Sequence, residues 1–149
     1  MKENRITLET AILAKEKRFD VLCEEAYFET EEHTLEMGRG GDCLFPHQLP
    51  RILGRCSEDE YTHFIAEAPT QGLLQKWLRE VHNIYVDASH DLSADGKYIN
   101  YYTSWGFMRQ LDNEGNLNAN RWYDEYSDWR TYEEALEFGL AEALKMITV

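Results

Sequence analysis

The sequence predicts an α+β protein in which an antiparallel meander of three to four strands packs against helices, and three observations carry that prediction. Apolar side chains recur at helical spacing in two segments that bracket the second half: Leu73, Leu74, Trp77, Leu78 and Val81, then Leu136, Leu140, Ala143, Leu144 and Ile147. Between them the chain is rich in β-branched and aromatic residues and carries turn signals at Asp95-Gly96 and around Gly115. A chain of 149 residues, 43% hydrophobic and 13% aromatic, suffices for one core. A single domain is therefore expected. Its residues 69–147 have helix-sheet-helix order, so that both helices can cover one sheet face, and residues 1–68 add an N-terminal helix, an acidic segment and a loop-rich region.

Taken in order, Thr7 can cap a helix over about 8–18, with Glu9 in its first turn and Leu8, Ala11, Ile12, Lys15 and Phe19 at helical spacing. VLCEEAYFETEEHTLEM follows, where seven carboxylates between Asp20 and Glu36 meet no Lys or Arg. Weak alternation there allows one or two short strands, expected as water-facing sheet edges. Residues 38–60 read as irregular, because Pro46 and Pro50 exclude a central strand and the glycines suit turns. YTHFIAEA, 61–68, alternates as a strand. Thr70 can cap the second helix, which ends near His82-Asn83, and a hairpin of IYVDASHD and KYINYYTSW comes next. FMRQLD and LNANRWYDEYSDW extend the meander. Thr131 and Glu134 then form a T-x-x-E capping box for the last helix, in which Glu133, Glu134, Glu137 and Glu142 should be solvated. Gly139 lowers helix propensity there by about 1 kcal/mol relative to alanine, which implies a close approach to the sheet or another helix.

The net charge of −13, from 28 acidic and 15 basic residues, argues against direct binding to nucleic acid, which needs clustered Lys and Arg. Helix-sheet-helix order also occurs in double-stranded RNA-binding domains. Those need basic residues where the last helix begins, and TYEEALE stands here instead. High net charge has a simpler use in keeping a protein soluble, and a charged-face partner would be cationic. The first residues lack the apolar core of a secretory signal and no run is long enough for a membrane span, so a cytoplasmic location without membrane contact is expected. Cys23, Cys43 and Cys56 read as free thiols rather than a disulfide framework.

The phrases ITLETAILAKEKRFD, APTQGLLQKWLREVHNIYVD and YEEALEFGLAEAL resemble, in order and over about half of the chain, small uncharacterised proteins carried by phages, prophages and plasmids of gut bacteria. Arg18 stands where that pattern usually has glycine, a departure that weakens the expected stop of the first helix. The resemblance implies a mobile-element origin and a host cytoplasm. It carries over no catalytic residue.

No constellation amounts to a strong catalytic signature, and no cofactor is expected. Cys43, His47, Cys56 and His63 have the right chemistry for zinc, but their spacing is loose, and ordinary thiols and imidazoles explain them more simply. GRGGD runs into Cys43-Leu44-Phe45-Pro46 rather than a helix start, so it makes a poor phosphate cradle. Arg39, Arg51 and Arg55 concentrate positive charge around Cys43 and Cys56. They are anion-binding candidates, and they keep a thiol- or zinc-dependent hydrolase or a signalling-nucleotide binder as alternatives. A structural or replication accessory is a third reading. The aromatic cluster is the most informative feature: Trp105, Phe107, Trp122, Tyr123, Tyr126, Trp129 and Tyr132, with Tyr98, Tyr101 and Tyr102 nearby, lie among Asp112, Glu114, Asp124, Glu125 and Asp128. Alternation sends about half of these rings to a core; those left exposed beside carboxylates suit a basic protein surface. The leading expectation is a non-enzymatic, acidic phage or mobile-element protein that binds and modulates a host or defence-system protein, counter-defence included. Its sharpest version is an inhibitor occupying a basic nucleic-acid-binding channel.

Overall fold

A computed structural model describes residues 4–29, 35–39, 63–93, 95–97, 99–107 and 122–148, which form an α+β fold of helices and two antiparallel sheets. Two compact units divide the chain: Arg5–Thr70, and Gln71–Val149 with Met1–Asn4.

In the first unit, helix α1 (Leu8–Glu16) starts where Thr7 Oγ1 accepts a hydrogen bond from the Thr10 N–H. It stops without the usual glycine: Arg18 takes a left-handed φ of 65°, so that its N–H reaches the Lys15 carbonyl while the Phe19 N–H reaches that of Ala14. These two bonds make a Schellman cap built on an L-residue. Arg18→Gly should therefore raise stability by about 0.5–1 kcal/mol, part of the steric relief being offset by the greater freedom of glycine in the unfolded chain. A higher urea midpoint at unchanged slope is the expected reading; a lower midpoint would show that the Arg18 side chain stabilises this turn.

The buried face of α1 differs from the expected one. Thr10, Ala11 and Ala14 are buried while Ile12 is exposed, because small residues let the helix sit close against strand β3 (His63–Glu67). Strand β1 (Glu25–Glu29) pairs with both β3 and β2 (Leu35–Arg39) in the order β2-β1-β3. The acidic segment thus supplies the central strand as well as an edge, correcting the expectation of edges only. Two features explain it. Ala26 and Ala66 are fully buried, and Arg5 reaches Glu25 at 2.9 Å and Glu24 at 3.7 Å, giving the acid run a cation that its own sequence lacks. Gly38 and Arg39, expected to be irregular, lie on β2, paired with Ala26 and Glu25, and residues 40–60 lie outside the described residues.

In the second unit, α2 (Gln71–His82) buries Gln71, Leu74, Trp77 and Leu78. Val81, expected in the same stripe, is 59% exposed. It sits in the final turn, just before Asn83 takes φ 56° and swings the chain into β4 (Ile84–Leu92). Buried Gln71 compensates its polarity through Nε2, which donates to the Glu133 carbonyl and to Glu137 Oε2, each at 3.0 Å. Glu137 is accordingly half-buried rather than solvated.

Strands β4, β5 (Ile99–Phe107) and β6 (Trp122–Tyr126) form the expected meander in the order β4-β5-β6. Gly96, at φ 68°, closes the hairpin with its N–H on the Ser93 carbonyl, and Asp95 accepts from Ser93 Oγ and the Lys97 N–H. Helix α3 (Tyr132–Lys145) starts with the Glu134 N–H on Thr131 Oγ1, while Glu134 reaches back to the Arg130 N–H, one residue beyond a standard capping box. Its face of Ala135, Leu136, Leu140, Ala143 and Leu144 covers Val86, Ala88, Thr103 and Trp105. No helix among the described residues is long and apolar enough to cross a membrane.

Candidate functional site

The pleat of the second sheet separates its side chains into two faces. One carries Ile84, Val86, Ala88, Thr103 and Trp105 into the helix-covered core. The opposite face is set by pairing register. Tyr85, Gly106 and Trp122 form one cross-strand row, Asp87, Ser104 and Asp124 the next, and Ser89, Tyr102 and Tyr126 the third. Asp91 and Asn100 extend it.

Gly106 organises the first row. Having no side chain, it lets the rings of Tyr85 and Trp122 close over it from either side, stacked at 6.0 Å between centroids and 25° between planes. In the third row Tyr102 and Tyr126 stack at 4.9 Å and 24°. Two aromatic stacks thus flank a row holding two aspartates. Tyr85, Trp122 and Tyr126 are 36%, 41% and 62% exposed. Among the described residues this face has no Lys or Arg.

The local charge is felt by the tyrosines. Desolvation comes first in pushing the Tyr126 hydroxyl above its ordinary value, followed by Tyr102 and the negative charges of Asp124 and Asp91. Tyr132, in the first turn of α3, is likewise raised by burial, then by Asp87 and Glu133. Both hydroxyls remain neutral donors at physiological pH.

The seven sequence-level contact candidates divide accordingly. Trp122, Asp124 and Tyr126 share the open face. Tyr123 and Glu125 belong to the other side of β6, where Tyr123 stacks on buried Trp105 at 5.8 Å. Trp129 is half-buried against Phe138 at 5.2 Å, and Asp128 is exposed beyond the strand end. Sequence reasoning omitted Tyr85, Asp87 and Asp91 from the site. The signal was present in the alternation of IYVDASHD, whose polar set Tyr85, Asp87, Ser89 and Asp91 lies on one face.

Of the other candidates, Arg39 lies on β2 and His63 on β3, whereas Arg51, Arg55, Cys43, His47 and Cys56 lie outside the described residues. Among the described residues no group of three or more His, Cys, Asp or Glu could hold a metal ion.

Cys23 is a buried thiol of the first unit, with Sγ donating to the Val21 carbonyl at 3.4 Å and its N–H donating to Glu67 Oε2 at 3.1 Å. Burial, then the charge of Glu67, pushes the thiol up to about 12. An unfolded chain releases this proton near 9.0 and the folded one near 12, so stability is fully present below 9 and falls as pH rises through that window. With thiolate so scarce, iodoacetamide should label Cys23 at pH 8 at least about a hundredfold more slowly in the native protein than in urea. Mass spectrometry of the Cys23 peptide reads this directly, and equal rates would show that the thiol is open.

With known proteins, the chain matches no family model, no curated protein and no solved structure.

Proposed function

We propose that this protein is a non-enzymatic binding protein that engages a basic surface on a protein partner through the open face of β4-β5-β6. The supporting observation is the face itself: exposed, stacked aromatics interleaved with Asp87, Asp91 and Asp124 and carrying no cation among the described residues. Aromatic area supplies contact energy at low entropic cost, and carboxylates steer a positive partner and exclude a negative one. A net charge of −13 extends the same preference to long range. The host or defence-system partner, the cytoplasmic setting and the mobile-element origin belong to the proposal through the sequence resemblance. Its sharpest form is competition with nucleic acid for a basic channel, with carboxylates standing where phosphates would bind.

Immobilised wild-type protein and a Trp122→Ala/Tyr126→Ala variant, incubated with the same host lysate, test the proposal. At least one basic protein should be retained by the wild type, lost from the variant, and released as salt rises from about 50 to 500 mM, where screening shortens to a few ångströms. An identical retained set on both, or a set unaffected by salt, would contradict it.

A further inference from the structure

The face distinguishes between the two kinds of positive side chain a basic partner can present. We infer that it recognises arginine, on an extended segment of the partner protein, in preference to lysine; this inference rests on the function proposed above.

The geometry of the three rows carries it. A guanidinium is planar, weakly hydrated and able to lie flat on an aromatic ring while its edge donates two parallel hydrogen bonds to a carboxylate. The face offers those two elements side by side. Trp122 and Tyr126 stand one row to either side of Asp124 on the same strand, and the Tyr85–Trp122 stack stands beside Asp87 in the adjoining row. Rows two residues apart are separated by about 7 Å, so a guanidinium resting on either ring has a carboxylate within reach of its edge. An ammonium has no plane to stack and holds its water more firmly, so the aromatic half of the site adds less for lysine.

The row spacing also fits an extended partner. Side chains on one side of an extended segment recur every two residues at about 7 Å, which is the step between rows here. Arginines at alternate positions would fall beside successive rows. The stacks are assembled by the protein's own strand pairing, with Gly106 leaving room for one of them, so the rings are positioned before the partner arrives.

The test uses the full-length protein and two synthetic peptides, one with six arginines at alternate positions separated by glycine and serine, the other with lysine in the same places. Calorimetric titration at about 150 mM salt should give at least a tenfold tighter Kd for the arginine peptide, the scale expected of two exposed cation–π contacts. That ratio should fall to about twofold or less in Trp122→Ala/Tyr126→Ala and persist in Trp122→Phe/Tyr126→Phe, which keeps the rings. Circular dichroism establishes that each variant is folded. Equal affinity for the two peptides, or a ratio unchanged in the double alanine variant, overturns the inference. If both peptides bind equally and Asp124→Lys weakens both, arginine selection fails while the proposed function stands. If neither peptide binds, or neither responds to Asp124→Lys, both fail.

Discussion

Gly139→Ala is expected to destabilise the second unit by about 2 kcal/mol or more, although alanine is the better helix former by about 1 kcal/mol. A Cβ at this position would lie 2.2 Å from Thr103 Oγ1 and 2.9 Å from Val86 Cγ1, both well inside contact distance. Neither neighbour yields easily. Thr103 is fully buried on the central strand with its hydroxyl donating to the Asp87 carbonyl at 2.9 Å, and Val86 is buried on β4. The helix must therefore lift from the sheet, loosening the contacts of Leu136, Leu140 and Leu144. Urea unfolding followed by tryptophan fluorescence measures the loss. Thr103→Ala should also destabilise, through its broken hydrogen bond, yet the Gly139→Ala/Thr103→Ala pair should cost less than the two single changes summed, because the closest clash is gone. Strict additivity would place the source of the destabilisation elsewhere.

Asp124→Lys should weaken binding of a basic partner by about a hundredfold, near 3 kcal/mol, while leaving stability within about 0.5 kcal/mol of wild type. Asp124 is exposed at the centre of β6, between Trp122 and Tyr126 and across Ser104 from Asp87. Reversal there removes an attraction and adds a like-charge repulsion against the same cation. Glu125→Lys changes net charge by the same amount on the opposite side of the same strand. It should cost threefold or less. Binding measured at matched ionic strength separates the two, and equal losses would mean that net charge, not this face, governs association.

Much of this was legible in the residues because the forces involved are local. The Thr7 and Thr131 caps, the Gly96 turn and the α3 stripe each rest on interactions within a few positions of chain. Even the close approach at Gly139 announced itself as a glycine in an otherwise strong helix. What was not legible depends on partners distant in sequence. Nothing inside the acidic segment shows that Arg5 neutralises Glu25, so β1 read as an edge although it lies at the centre of its sheet. The left-handed Arg18 cap was likewise hidden, since only glycine or asparagine normally marks such a stop. For the candidate site, composition pointed to β6, and alternation alone could not say which β4 residues stand beside it. Register decides that, through the pairing of Tyr85 and Trp122 with Gly106.

The most direct measurement of the central claim is a backbone and side-chain NMR titration of the intact protein with an arginine-rich peptide. Perturbations should concentrate on the Trp122 indole N–H and on Tyr85, Asp87, Tyr102, Asp124 and Tyr126, leaving the acidic residues of 20–36 near their starting positions. Perturbations centred on residues 20–36, or spread evenly over the carboxylates of the chain, would contradict it, because binding would then follow charge without regard to the aromatic face.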